Sequence, residues 1–235
     1  MTNSFVVSDL DVIAKLFLSK NSVVFDFDGV IADSVSVKTE AFYDLYKIYG
    51  ENIASRVVAH HKANSGISRF EKITYYHNSY LGKQLSKKEL DALCKKFSNL
   101  VVGKVINSQE IKGATEFIKK LFLKKKKCFI NSATPQGEII KIVQERHLEQ
   151  YFSGVYGSPK TKTEILKLVI DENKLSSENV VMIGDSQSDM EAADILSVDF
   201  VGVGKDILTI LQGSNKLHYL TEDFSGILKR KRFWY

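Results

Sequence analysis

The chain has 235 residues but only two cysteines and two prolines. Cys94 and Cys128 lie in different segments, so neither a disulfide framework nor a thiolate metal site is suggested, and such sparse usage suits a reducing cytosol. Cys128 sits inside an apolar run and reads as a core residue. Pro135 and Pro159 both fall late, so residues 35–106 contain no proline to break a helix. No run approaches the roughly 18 apolar residues of a membrane span. The start has no secretory pattern, because Asp9 and Asp11 interrupt it and no basic region precedes the short apolar stretch at 12–18. Residues 8–19 are expected to form an extra helix on the core, and the location expected is cytoplasmic. Neither sign of charge dominates: 33 Lys+Arg against 28 Asp+Glu leave a net +5. That is weak evidence for nucleic acid. The basic runs at 124–127 and 229–232 lack the aromatic interleaving of a nucleic-acid groove, and no membrane partner is expected either. A composition 44% apolar and 26% charged is that of an ordinary globular protein, long enough for one large domain or a core plus a smaller one.

What is present begins with Asp26-Phe27-Asp28-Gly29-Val30, directly after the apolar run Val23-Val24-Phe25. Side chains at i and i+2 of a strand share a face, so both carboxylates can converge on one bound group. Gly29 then allows a sharp turn and a close backbone approach. Alone, the stretch reads equally well as a strand followed by an acidic turn. Two further runs resolve this. Cys128-Phe129-Ile130 ends in Asn131-Ser132-Ala133-Thr134, and Val180-Val181-Met182-Ile183 ends in Gly184-Asp185, with Asp189 four residues on. Between them, Gly157-Ser158-Pro159-Lys160-Thr161-Lys162 opens a helical pattern. Short apolar runs alternating with helices predict a parallel α/β sheet, in which ligands bind at the carboxyl ends of the strands.

Charge sharpens the chemistry. Each pair of carboxylates at 4 Å costs about 4 kcal/mol at an effective dielectric of 20, so Asp26, Asp28 and Asp185 in one pocket need a cation. Oxygen ligands without clustered His or Cys favour Mg²⁺. A metal, a lysine and a nucleophilic carboxylate together describe phosphoryl transfer through an aspartyl-phosphate.

Spacing sets the organisation. Asp26 and Ser132 are 106 residues apart, while Ser132 to Lys162 spans only 30. An insertion therefore follows the first motif. Helical patterns at 39–49, 69–80 and 87–102 make it α-helical, and residues 114–123 lead back to the core.

The ordered motifs resemble those of the haloacid dehalogenase superfamily, in its β-phosphoglucomutase/phosphoglycolate phosphatase group. The resemblance implies a Rossmann-like parallel α/β core over 1–34 and 107–235, and an α-helical cap over 35–106 that closes on the site. It implies a Mg²⁺-dependent phosphatase, a phosphoric monoester hydrolase acting on a small phosphorylated metabolite such as a sugar phosphate or related acid. Asp26 matches the nucleophile and Asp28 the general acid/base, whose backbone carbonyl also contacts the metal. Ser132 would bond the phosphoryl group, with Asn131 beside it at the substrate. Lys162, with Lys160 as rival, would balance charge. Asp185 would ligate Mg²⁺, and Asp189 would ligate it or orient its water. A phosphosugar mutase is the alternative, and a non-catalytic binding protein on this fold is a third reading. A haloacid dehalogenase is disfavoured, because its chemistry needs neither Asp28 nor magnesium. A monomer or weak dimer is expected.

Within the insertion, Gly66-Ile67-Ser68-Arg69 resembles the cap loop of the β-phosphoglucomutase group. A glycine turn before a helix exposes amides and a hydroxyl, and Arg69 adds a bidentate fork, so Gly66, Ser68 and Arg69 are expected at the substrate. Lys72 follows one turn later. His60 and His61 do not share a helix face and read as surface or core residues. Phe42, Tyr43, Tyr46 and Tyr49 read as packing. Lys38 stands where the resemblance would place a histidine that couples sugar binding to the acid/base.

Overall fold

A computed structural model describes residues 6–212, 214, 216–230 and 234. Its centre is a seven-stranded, all-parallel sheet. In chain order the strands are β1 (Val6–Val7), β2 (Ser22–Phe25), β3 (Lys127–Pro135), β4 (Gly154–Ser158), β5 (Val180–Gly184), β6 (Asp199–Val203) and β7 (His218–Thr221), and in space they run β1-β7-β6-β5-β2-β3-β4. The α/β expectation holds. Every residue of β2 and of β5 is buried, as a strand covered on both faces requires. Alternate side chains of β2 enter opposite cores: Val23 and Phe25 join Phe17, Phe117 and Ile130, while Val24 joins Phe129, Ile165 and Met182.

The helices outside the insertion are α1 (Leu10–Ser19), α6 (Ala114–Leu123), α7 (Gln136–Glu145), α8 (Lys162–Glu172), α9 (Gln187–Ile195), α10 (Ile207–Gln212) and α11 (Ser225–Leu228). The expected N-terminal helix is α1, capped by the Asp9 carboxylate on the Asp11 and Val12 amides. Lys231 and Arg232 of the expected basic tail lie outside the described residues. No helix among the described residues is long and apolar enough to cross a membrane.

Between β2 and β3 the chain makes four helices: α2 (Val35–Tyr46), α3 (Glu51–Ala63), α4 (Arg69–Leu81) and α5 (Lys87–Ile106). Ser68 and Ser86 cap α4 and α5, the latter in a full capping box with Glu89. Phe42 and Tyr46 are buried there, edge-on to Tyr76, while Tyr43 is only half-buried and bonds Glu51. The helix α3 was not singled out from sequence. Its buried stripe is only Ala54, Val57 and His61, too sparse and polar to stand out as an apolar face. The order of β3, β2 and β5 makes β2 the point at which successive strands are added on opposite sides. Open α/β sheets bind ligands at such a switch point, above the strands' carboxyl ends.

Candidate active site

Asp26 follows the last residue of β2 and is held by its own backbone, its amide donating to Ile183 of β5 (2.8 Å). Its side chain accepts two hydrogen bonds, both on Oδ1: from the Phe27 amide (2.6 Å) and from Lys162 Nζ (2.6 Å). Oδ2 accepts none from the described residues and is the oxygen left for a ligand. Lys162 stands at the start of α8, where Thr161 and Glu164 form a capping box. Its ammonium also meets Asp189 Oδ1 (2.8 Å) and donates to the Asn131 carbonyl (2.6 Å), while Asn131 Nδ2 returns a bond to the Lys162 carbonyl (2.9 Å). Lys160 is exposed and borders a separate cavity.

Asp189 is fully buried, with Oδ2 accepting from the Ser186 amide and hydroxyl (3.2 and 2.5 Å). Asp185, at the end of β5, presses on the turn after β2: a Cβ added at Gly29 would lie 2.0 Å from its Oδ2. Gly29 also has φ +79°, so both space and conformation require glycine there. One carboxylate oxygen each from Asp26, Asp185 and Asp189 lies within 4.8 Å of the others. Burial first, with Asp189 and Asp28 adding repulsion, lifts Asp26 to about 7 even against Lys162. Burial and the charges of Asp26 and Asp189 likewise raise Asp185 well above the carboxylate range. Burial opposes the charge on Lys162, but Asp189 and Asp26 outweigh it and raise its pKa. A small, hard cation fits this oxygen-only set and would offset the remaining repulsion.

Asp28 faces a different group of partners. Ser34 Oγ donates to its Oδ1 (2.6 Å), while Lys38 Nζ and Thr134 Oγ1 (3.2 Å) donate to Oδ2. Lys38 also bonds Thr134 Oγ1 (2.8 Å). Burial would raise this carboxyl, but the Lys38 charge and the bonds from Lys38 and Ser34 outweigh it, so its pKa falls below the usual value. Two carboxylates two residues apart are thereby driven in opposite directions. Lys38 lies on α2, so a helix of the insertion contributes directly to this group.

The remaining expected residues divide. Ser132 is buried, and its Oγ accepts from the Thr134 amide (3.1 Å), leaving its O–H to donate elsewhere. Asn131 is fully buried and stitches Lys162 rather than bordering the cavity. Gly66 reaches the site: with Ser65, His61, Lys38, Val35 and Ala133 it walls a cavity of about 20 Å³ containing Asp26, Asp28 and Asp185, room for roughly one water. A Cβ on Gly66 would lie 1.8 Å from Ser188 Oγ, so the insertion is seated directly on the loop after β5. Ser68 caps α4 and borders a neighbouring cavity of about 180 Å³. Arg69, expected at the substrate, is committed elsewhere. Its guanidinium pairs with Glu138 on α7 (2.8 and 3.1 Å), bonds Ser98 Oγ (2.7 Å) and lies 4.7 Å over the Phe97 ring.

Sequence comparison assigns the family. Residues 23–203 match the model of the haloacid dehalogenase-like hydrolases. The chain belongs to that family. A phosphorylated carbohydrates phosphatase from Thermotoga maritima is 26% identical over 187 residues, covering 76% of this chain and 82% of that protein. Family and relative agree on the expected enzyme class, a phosphoric monoester hydrolase. Among solved structures, a β-phosphoglucomutase from Clostridium difficile superposes with a TM-score of 0.72 at 17% identity, over 91% of this chain and 97% of that one. A predicted phosphoglycolate phosphatase from Haemophilus somnus gives 0.66 at 16%, over 91% and 98%. At such identities these two show the shared fold. Within this haloacid dehalogenase-like hydrolase, Ser34, Lys38 and Thr134 complete the surroundings of Asp28. Thr134 stood in a segment already marked, and Lys38 at a position already compared with a histidine. Ser34 carried no signal beyond its nearness to the first motif.

Proposed function

We propose that this chain is a Mg²⁺-dependent phosphatase of small phosphorylated metabolites, working through an aspartyl-phosphate on Asp26. The observation that carries the reading is the pairing of Asp26 Oδ1 with the Phe27 amide and Lys162, which leaves Oδ2 without a hydrogen bond from the described residues in a side chain that, with Asp28, borders one cavity. Asp185 and Asp26, with Asp189 behind them, would hold the metal. When bound, the metal supplies charge neutralisation that lets a phosphate dianion approach a carboxylate.

In the first step Asp26 Oδ2 attacks phosphorus as the bond to the leaving oxygen breaks, and Asp28 returns to the departing alkoxide the proton it took from water in the preceding hydrolysis step. Lys162 stays protonated and balances the equatorial oxygens, joined by the Ser132 hydroxyl. In the second step Asp28, held as a carboxylate by Lys38 and Ser34, takes a proton from the water that cleaves the acyl phosphate. Residues 35–106 act as a cap. Seated through Gly66 on the loop after β5, the cap leaves space for about one water, so substrate entry requires it to lift.

The mutase alternative would route the phosphoryl group to a sugar hydroxyl instead of water. A flexible lysine beside Asp28, in place of an imidazole, favours water as acceptor. A phosphate-release screen over phosphorylated sugars, sugar acids, nucleotides and glycolate tests the reading. Mg²⁺-dependent release that EDTA reversibly abolishes is expected. Isomerised product without matching free phosphate would overturn it in favour of the mutase, and no turnover at all would favour a binding protein.

A further inference from the structure

His61 and Lys72 belong to none of the groups assigned so far, yet they form part of the same cavity wall. His61, on α3, is 3% exposed and borders the cavity beside Asp26, Asp28 and Lys38. Its ring packs on Phe42, with centroids 4.7 Å apart. Lys72, on α4, is 2% exposed, and its Nζ lies 3.0 Å from His61 Nδ1 and 3.2 Å from the Ser65 carbonyl.

The proton count follows from these contacts. A protonated Lys72 Nζ carries only donors, so with Nζ bonded to the Ser65 carbonyl and to Nδ1, Nδ1 accepts and the ring proton sits on Nε2. Nε2 is buried and has no hydrogen-bond partner among the described residues. An unpaired buried N–H costs on the order of 1–3 kcal/mol, so a donor left in this state at a cavity wall awaits an acceptor. Lys72 is unusual too. Buried lysines are normally paired with a carboxylate, but Lys72 makes no ion pair among the described residues, and its neighbour Glu71 is bonded to Ser68 instead. Asp28, which borders the same cavity as His61, is taken by Lys38 and Ser34. The cavity that holds Asp26 and Asp28 thus offers one free donor, backed by a buried lysine that makes no ion pair among the described residues.

We propose that His61 Nε2–H, held and polarised by Lys72, receives a carboxylate on the leaving alcohol, so that the preferred substrates are phosphate esters of hydroxy acids, including sugar acids, over those of neutral polyols. This deepens the phosphatase reading and rests on it. Burial and the Lys38 charge lower Lys72 to about 7, and burial with the Lys72 and Lys38 charges lowers His61 to about 2. The ring is therefore neutral, and an arriving negative charge favours the protonated form of Lys72. A second phosphate would bring two charges to a single donor, which matches this wall less well.

Matched esters test the proposal: phosphoglycolate against hydroxyethyl phosphate, phosphoglycerate against glycerol phosphate, and phosphogluconate against sorbitol phosphate. One charge-assisted hydrogen bond predicts a roughly 10–100-fold preference in kcat/KM for the acid in at least one pair. Lys72→Met and His61→Leu should bring that ratio towards one, chiefly through KM. His61→Gln, which keeps an N–H near Nε2, should retain part of it. A merely structural role would lower both members of a pair alike and leave the ratio intact, and that result overturns the proposal, as does the absence of acid preference in every pair. Inhibition of the wild-type enzyme by free glycolate, glycerate and gluconate does not depend on any variant folding. Tighter inhibition by acids than by the matching alcohols supports the proposal, and equal inhibition overturns it. Failure to release phosphate from any ester, nitrophenyl phosphate included, would instead remove the phosphatase reading and this proposal with it.

Discussion

Arg69 joins the insertion to the sheet domain through Glu138, and truncating either partner should measure that link. The pair makes two close N···O contacts, one of them a hydrogen bond, with 4% of the Arg69 side chain and 22% of the Glu138 side chain exposed. Glu138→Ala leaves a buried guanidinium with only Ser98 Oγ and the Phe97 face. Breaking a fully buried pair costs about 3–5 kcal/mol, and the partial exposure of Glu138 reduces this to roughly 2–4 kcal/mol. For a chain of this length that is a Tm loss of roughly 5–15 °C. Arg69→Met with Glu138→Leu removes both charges together and should recover much of the loss, giving a coupling of about 1–3 kcal/mol. Urea unfolding of wild type, Arg69→Met, Glu138→Leu and the double variant, followed by far-ultraviolet circular dichroism and by tryptophan fluorescence, closes the cycle. Single variants within about 0.5 kcal/mol of wild type, or a double variant equal to the sum of the singles, would refute the link. Kinetics separate it from a direct substrate contact. A link predicts that Arg69→Ala and Glu138→Ala impair large and small esters alike, whereas a contact predicts that only Arg69→Ala impairs the large one.

Asp26 and Asp185 are both raised above their unfolded values, so the stability they contribute is greatest below the carboxylate range and is lost as pH rises towards about 7. Mg²⁺ should therefore raise Tm more at about pH 8 than at about pH 5, by roughly 5–11 °C at a hundredfold excess over Kd, and Asp185→Asn should remove the gain; equal gains at both pH values would contradict metal binding at these carboxylates. Lys38→Met removes the cation that lowers Asp28, so the acid limb of the kcat profile should move to higher pH; an unmoved limb would take Lys38 out of the acid–base group. Gly66→Ala places a methyl against Ser188 and Ser186, and an overpacking cost of about 1–3 kcal/mol should lower kcat/KM roughly 5–150-fold; unchanged kinetics would mean that the cap does not seat here during turnover.

The strands nearest the site were legible because each announces itself locally. The β2, β3 and β5 segments are short apolar runs bounded by polar turns, and parallel pairing buries both faces, which is why the runs are continuous rather than alternating. Lys162 was legible as the opening residue of a capped helix after a Gly-Ser-Pro segment. The surroundings of Asp28 were less so. Ser34 and Lys38 follow it closely, but Thr134 joins them only when β3 pairs with β2. The fate of Arg69 was hidden for the same reason, since Glu138 lies 69 residues away on another helix and no local pattern links them. His61 looked like one of two adjacent histidines on a polar helix. Its environment depends on Phe42 and Lys72 from neighbouring helices, and packing rather than periodicity makes it a wall of the cavity.

The central claim is that Asp26 becomes phosphorylated during turnover. Enzyme mixed with Mg²⁺ and a turned-over phosphate ester, quenched in acid within one turnover and reduced with borohydride, should yield homoserine at position 26 in the peptide mass spectrum. Omitting the ester should leave that peptide unmodified. Rapid phosphate release with Asp26 unmodified at every quench time, or with the reduction found at another carboxylate, would contradict the account.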